Sequence, residues 1–143
     1  QYYWPLATDR ATGMWMPLVD VSMDMGPICF ASGSHRDGYL GHYKISDEAQ
    51  SVFENVIKEK GWSVHQEPMK AGDATFHNAW IIHGATANAT DRMREAMIVT
   101  YYPDGTKVDD LINPSRVNDA KVFLGGKKPG DLADSQLNTV VYP

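Results

Sequence analysis

The chain contains very little cysteine, with Cys29 as the single one among 143 residues. One cysteine cannot form a disulfide within the chain, which excludes the disulfide-stapled domains typical of small secreted proteins. A single thiol fits a reducing compartment, and we therefore expect a cytoplasmic protein.

Clusters of positive charge and long apolar runs are also missing. The net charge is −5 at pH 7, and no basic cluster exceeds the pair Lys127-Lys128. Surfaces that bind nucleic acid or anionic membranes need a basic patch, so we expect neither partner. No apolar run approaches the roughly 20 residues that span a bilayer. The expected partner is a small-molecule substrate, and the sequence allows a homo-oligomer.

The first residues do not resemble a natural N-terminus, which is normally polar and loose. The chain begins with Gln1, followed by the aromatic run Tyr2-Tyr3-Trp4. We therefore expect a chain cut inside a domain, so that residues 1–143 form one partial domain.

Hydrophobic patterning predicts several short strands. Their expected ranges are 14–21, 27–31, 62–66, 74–83 and 94–102, and residues 74–83 could form either two short strands or one bent strand. Pro17 falls inside the first of them and cannot donate a ladder hydrogen bond, which predicts an edge strand or a bulge.

One helix is predicted at residues 46–60, with Ser46 as its N-cap and Gly61 just beyond its end. Residues 103–143 are predicted to be a loop-rich C-terminal extension of the same domain, with no helix of three or four turns. Many short strands with one surface helix indicate a mainly β protein, a sandwich or a barrel.

Two histidines and an arginine form the strongest chemical pattern. His77 and His83 lie in a mostly apolar segment, and Arg94 opens the most strand-like run. Imidazole is a common metal ligand, and an arginine fork is a natural partner of a carboxylate, so a metal and an acid could bind side by side. The same residues also fit two core histidines and an arginine paired with a surface acid, and spacing alone favours this simpler interpretation.

A longer series of motifs runs along nearly the whole chain. It comprises Tyr3-Trp4-Pro5, Trp15-x-x-Leu18-x-Asp20, Gly26, Gly33-Ser34-His35, Gly72-Asp73 with Phe76, His83-Gly84 followed by Arg94, Pro129-Gly130-Asp131 and Leu137-Asn138. In this order the motifs resemble the phytanoyl-CoA dioxygenase family of Fe(II)- and 2-oxoglutarate-dependent oxygenases.

The resemblance implies a double-stranded β-helix, that is, a cupin-like jelly-roll barrel, with Fe(II) and 2-oxoglutarate as cofactors. It implies that His83 is the distal histidine ligand of the metal and that Arg94 binds the far carboxylate of 2-oxoglutarate. Trp15 is expected near that co-substrate. Arg92 is a rival for the arginine role, but Arg94 fits the family's separation from His83 better. The implied reaction is hydroxylation of an unidentified small molecule.

The sequence departs from the family at the other two iron ligands. These belong to a His-x-Asp motif that aligns immediately before Gln1, so the chain is expected to be a jelly roll truncated at its N-terminus. His35-Arg36-Asp37 has the residue types of this motif, but it matches a different family element and lies too close to His83 in the sequence.

The remaining histidines are given structural roles. His77 is expected to support the barrel or the surroundings of a metal ligand, and His42 and His65 are expected at the surface.

Two interpretations of the whole chain follow. In the first, it is part of an oxygenase and lacks two of three iron ligands. In the second, it is a non-catalytic jelly-roll fragment that binds iron weakly or not at all and covers its open sheet edges by dimerising or by swapping strands. In either case we expect no turnover from residues 1–143 alone, because one imidazole cannot hold Fe(II) in a defined geometry.

Overall fold

A computed structural model describes residues 3–38, 40–41, 43 and 46–142. The chain divides into two compact units, one spanning Thr12–Tyr101 and the other combining Gln1–Ala11 with Tyr102–Pro143. The strands are β1 (Thr12–Pro17), β2 (Ile28–Ala31), β3 (Val64–Gln66), β4 (Thr75–Asn78), β5 (His83–Ala85) and β6 (Ala96–Tyr101), and the helices are α1 (Asp47–Lys60) and α2 (Pro114–Phe123). The prediction of a mainly β chain is confirmed.

The six strands form two antiparallel sheets of three strands each, both within the unit Thr12–Tyr101. One sheet has the order β4-β1-β6 and the other the order β3-β2-β5. In the first sheet, Gly13 lies opposite His77 of β4 and opposite Thr100 of β6. In the second, Phe30 lies opposite both His65 of β3 and His83 of β5. Residues directly opposite each other in antiparallel strands share a sheet face, so this register fixes which side chains can meet.

The core of this unit contains Trp15, Val21, Met25 and Ile28, with Val21 and Met25 each only 1% exposed. Phe30 and Met69 pack against this cluster. The buried cluster therefore includes side chains from β1, from β2 and from the connection between them.

The position of Pro17 differs from the prediction. Strand β1 lies at the centre of its sheet, with β4 and β6 on either side, and Pro17 is its last residue. At the strand end the missing N–H removes no interior ladder bond, while the Pro17 carbonyl still accepts a hydrogen bond from Gly72 N–H at 2.9 Å. The expected edge strand or bulge is therefore wrong.

Helix α1 forms where the sequence predicts it. The Ser46 hydroxyl accepts a hydrogen bond from the Ala49 backbone N–H at 3.1 Å, and Gly61 ends the helix in the left-handed region with φ 67°. Ala49 is buried on the apolar stripe of this helix. Both caps follow the usual chemistry of helix ends.

The second unit contains a helix of ten residues in the segment 103–143, where we expected loops and no helix of three or four turns. Helix α2 begins after Asn113, whose side chain accepts a hydrogen bond from Arg116 N–H at 2.9 Å, with Pro114 at its first position. Arg116 is 9% exposed, and its guanidinium donates to a carboxylate oxygen of Asp109 at 2.8 Å. A buried cluster of Leu6, Val108, Leu124 and Ala133 forms the core of this unit. The expectation of a single surface helix is therefore wrong, because an arginine in the buried stripe of α2 concealed the apolar pattern of that helix.

Among the residues that the structure describes, no helix is long and apolar enough to cross a membrane.

Candidate functional site

His83 lies at the start of β5, which pairs with β2. Its Nδ1 atom is 3.0 Å from the backbone carbonyl oxygen of Ile81. Because a carbonyl oxygen only accepts, Nδ1 must carry the hydrogen and donate it. In the neutral ring, Nε2 then holds the lone pair, which is the arrangement that a metal-ligating histidine needs. His83 is an exposed residue.

The backbone just before His83 is held by the end of β2 and the loop that follows it. Ala31 N–H donates to the carbonyl of Ile82 at 2.9 Å, and Ile82 N–H donates to the hydroxyl of Ser34 at 2.8 Å. Ser34 is fully buried. The Gly33-Ser34-His35 motif therefore fixes the chain one residue before His83, a role that the sequence analysis did not assign.

Three aromatic rings meet between the two sheets of this unit. The ring centroid of His77 is 4.9 Å from that of Phe30 and 5.2 Å from that of His83. Phe30 and His83 are 6.4 Å apart. Gly13 lies opposite His77 in β1, and a Cβ atom there would approach Nε2 of His77 to 2.7 Å. The His77 ring thus occupies space that only glycine leaves open at position 13.

His77 is uncharged at neutral pH. Burial, and to a smaller extent the neighbouring His83, lower the pKa of His77 to about 4. Its Nδ1 atom is buried and has no hydrogen-bond partner within the described ranges. The ring contact between His77 and His83 is consistent with the supporting role expected for His77.

Arg94 is held by backbone carbonyl groups. Its Nη1 donates to the carbonyl oxygens of Met25, at 3.0 Å, and of Gly26, and lies 3.4 Å from that of Thr86. Thr86 directly follows β5, so the guanidinium contacts the strand that carries His83. Within the described part of the chain Arg94 forms no ion pair, so the simpler hypothesis that it pairs with a surface acid is wrong.

Gly26 makes this arrangement possible. Its φ is 69°, in the left-handed region, and a Cβ atom there would lie 2.1 Å from the Thr86 carbonyl oxygen and 3.0 Å from Nη1 of Arg94. Only glycine accommodates both the backbone conformation and the close approach.

The other two predicted residues differ in burial. Trp15 is 9% exposed and belongs to the buried cluster that includes Met25, the residue whose carbonyl binds Arg94. Arg92 is exposed, and its carbonyl accepts a hydrogen bond from the side chain of Asn88 at 2.7 Å. Of the two arginines, Arg94 is the one that the fold holds in place.

The described residues do not complete an iron site. In ranges 3–38, 40–41, 43 and 46–142, no group of three or more His, Cys, Asp or Glu side chains could hold a metal ion. Asp37, the carboxylate of the rejected His35-Arg36-Asp37 candidate, pairs with Lys60 at 2.8 Å. His65 is exposed as expected, and His42 lies outside the described residues.

A cleft of about 420 Å³ lies on the β2–β3 side of the unit and is lined by Ile28, Phe30, His65, Glu67, Met69 and Asp73, among others. Phe30 contacts His77 and His83 and also lines the cleft. Its lining mixes the apolar side chains of Ile28, Phe30 and Met69 with the polar or charged side chains of His65, Glu67 and Asp73.

Comparison with known proteins gives a consistent result. Residues 1–96 match the model of the family described as Phytanoyl-CoA dioxygenase (PhyH). A curated relative, the Phytanoyl-CoA dioxygenase domain-containing protein 1 homolog of Caenorhabditis briggsae, is 22% identical over 98 residues, covering 64% of this chain and 34% of the relative.

Solved structures are similar over nearly the whole chain. SnoN, a non-heme α-ketoglutarate-dependent epimerase from nogalamycin biosynthesis, is similar with a TM-score of 0.72 and 23% identity, over 95% of this chain and 50% of SnoN. SnoN in complex with Fe³⁺, α-ketoglutarate and nogalamycin RO gives a TM-score of 0.73 and 25% identity, over 95% of this chain and 52% of that one. The carbocyclase SnoK, from the same biosynthesis, gives a TM-score of 0.69 and 26% identity, over 93% of this chain and 49% of SnoK. The chain therefore spans about one third of the curated relative and about half of these solved chains.

Proposed function

The chain belongs to the phytanoyl-CoA dioxygenase family, and from this membership we propose that it carries part of the active site of an Fe(II)- and 2-oxoglutarate-dependent oxygenase acting on a small molecule. The observation that supports the proposal most is the state of His83. Its Nδ1–H is committed to Ile81, the residue is exposed, and Arg94 contacts Thr86, the residue that follows the same strand.

Each residue has a role that follows from its contacts. We assign His83 Nε2 as a ligand of the metal. Arg94 would bind the far carboxylate of 2-oxoglutarate, because Nη1 is anchored on backbone carbonyls and the rest of its fork offers further donors. Trp15 would pack beside the co-substrate. Bound iron and 2-oxoglutarate supply oxidising chemistry that no side chain provides.

The described residues supply one suitable imidazole and no complete ligand set, so we derive no reaction step through the metal. The proposal requires two further ligands from outside these residues, the His-x-Asp pair of the family. We further propose that the two sheets are the opposed halves of a double-stranded β-helix, which the likeness to iron-bound SnoN supports.

The substrate is proposed only as a class. The two similar solved enzymes act in nogalamycin biosynthesis, and one is an epimerase while the other is a carbocyclase. Hydroxylation is the reaction we propose for this chain, and a small metabolite or natural-product intermediate is the proposed substrate. Because one fold supports several reactions, identification of the reaction product would decide between hydroxylation, epimerisation and ring closure.

A second candidate function rests on the missing ligands. The lack of a three-ligand group among the described residues also fits a non-catalytic fragment. Within the described chain β5 and β6 each pair with one neighbour, which leaves strand edges that a second copy could cover. Such a fragment would be a dimer without turnover.

Anaerobic titration with Fe(II) and 2-oxoglutarate tests the proposal. The full product of the gene should give the weak visible charge-transfer band of chelated 2-oxoglutarate on iron. The band should disappear in His83→Ala and Arg94→Ala and persist in His65→Ala and Arg92→Ala, which remove the same side-chain types from exposed positions. A band that survives His83→Ala would refute the metal assignment.

Residues 1–143 alone should consume no 2-oxoglutarate. Iron-dependent consumption by this chain would show that it completes a ligand set itself, and His35 and Asp37 would then be the first residues to re-examine. A stable dimer of the full gene product with neither band nor turnover would favour the second function.

A further inference from the structure

We propose that His77 is a positioning residue for His83, and that Gly13 is the place in β1 that makes room for it. The inference deepens the proposed function and rests on it only for the role of His83 as a metal ligand. The contacts between the rings are independent of that role.

The first step is the location of the contacts on His83. Its ring is exposed, and one edge is tied to Ile81 by the Nδ1–H hydrogen bond. Ring contacts come from His77, at 5.2 Å between centroids, and from Phe30, at 6.4 Å. A single hydrogen bond permits rotation about the last side-chain bond, whereas a neighbouring ring at van der Waals distance limits it.

The second step is the support of His77 itself. Its ring packs on Phe30 at 4.9 Å and projects its Nε2 towards Gly13. Gly13 and His77 lie directly opposite each other in adjacent strands. Phe30 and Gly13 both lie in paired strands, so the sheets, and not a loop, set the position of the His77 ring.

The third step is the consequence for ligand chemistry. A metal ligand must present one nitrogen in a fixed direction, and the residues that orient it typically change metal affinity by roughly 10–100-fold when they are removed. His77 would act through packing of its ring. The phenyl ring of His77→Phe should therefore still position His83, whereas the methyl group of His77→Ala should not.

The measurement is the tautomer of His83 in protein labelled with ¹⁵N-histidine, read in metal-free buffer from long-range ¹H–¹⁵N correlation spectra. The His83 signals are assigned by their loss in His83→Gln. In the wild-type chain and in His77→Phe we expect a single Nδ1–H tautomer. In His77→Ala we expect mixed tautomers with exchange broadening, and Fe(II) affinity of the full gene product lower by roughly 10–100-fold.

A matched pair of glycine substitutions keeps the test sharp if His77→Ala does not fold. In Gly13→Ala the new methyl group meets His77 Nε2 at 2.7 Å, whereas at Gly84, which adjoins His83, an added Cβ meets no atom of the described residues within 4 Å. Gly13→Ala should disturb the His83 signals, and Gly84→Ala should leave them unchanged.

Unchanged His83 tautomer and line width in folded His77→Ala and Gly13→Ala would overturn the inference and leave His77 as core packing. The tautomer readout needs no metal. If no iron band forms in any protein but the His83 signals respond as expected, the proposed function fails and the positioning contact stands.

Discussion

The buried hydroxyl of Ser34 accepts a hydrogen bond from the backbone N–H of Ile82, at 2.8 Å. Ser34 follows β2, and Ile82 directly precedes His83 at the start of β5. One side chain therefore ties the loop after one strand to the residue before the candidate metal ligand. A buried donor that loses its partner is costly, which makes this contact a direct test of how the site is held.

Ser34→Ala should lower the free energy of unfolding by about 1–3 kcal/mol, because the partly buried N–H of Ile82 is left without its acceptor. Chemical denaturation followed by circular dichroism measures the change. Ser51→Ala is the control, since the Ser51 hydroxyl bonds the Asp47 carbonyl on the exposed side of α1 and should matter by less than about 0.5 kcal/mol. Equal stability of the two variants would contradict the prediction.

Gly26→Ala should destabilise the chain far more than Gly61→Ala. Both glycines have nearly the same left-handed φ, 69° and 67°, so the backbone penalty is about 1 kcal/mol in each. At Gly26 the added Cβ would also meet the Thr86 carbonyl oxygen at 2.1 Å, whereas at Gly61 it meets no atom within 4 Å in the part of the chain that the structure describes. The resulting overpacking should add about 1–3 kcal/mol, and the difference between the two unfolding free energies isolates it.

The low pKa of His77 predicts a dependence of stability on pH. The folded pKa is about 4 and the reference value is 6.5, so between these values the unfolded chain binds a proton that the folded chain does not. The free energy of unfolding should be unaffected above pH 6.5 and should fall as the pH drops from about 6.5 towards 4. We expect a loss on the order of 1–2 kcal/mol, since solvent around a partly buried ring reduces the full effect.

The corresponding measurement is denaturation of metal-free protein across this pH range, with His77→Phe as the reference. The difference between the two proteins removes the contribution of the carboxylates. Parallel pH profiles would show that His77 titrates normally in the folded chain.

Asn113→Ala should destabilise α2 by about 1 kcal/mol, because the side chain caps the helix by accepting from Arg116 N–H at 2.9 Å. Asn113→Asp, which retains an acceptor and adds a favourable charge at the helix N-terminus, should lose little. Amide hydrogen exchange of residues 114–123 locates the effect. Equal exchange rates in the two variants would rule out the cap as a source of stability.

The sequence by itself determined helix α1, the approximate strand segments and the family. Helix α1 carries both of its end signals within its own segment, Ser46 and Gly61, so no distant residue was needed to place it. The predicted strand segments each contain or overlap the observed strands, because alternation of apolar residues is a local property. His83 and Arg94 were singled out by their place in an ordered series of motifs, and the family match is consistent with that series.

The tertiary structure decided whatever depends on residues that are distant in the chain. The central place of β1 follows from pairing with β4 and β6, and Pro17 is tolerated only because the strand ends there. In α2 the buried stripe contains Arg116, whose partner Asp109 lies outside the helix. The apolar periodicity of α2 is therefore interrupted, and the sequence did not predict this helix. The contacts of Ser34 with Ile82 and of Gly13 with His77 join segments that are far apart in the chain. Neither segment carries a local sequence pattern that predicts its partner, because such contacts form only when the strands pack together.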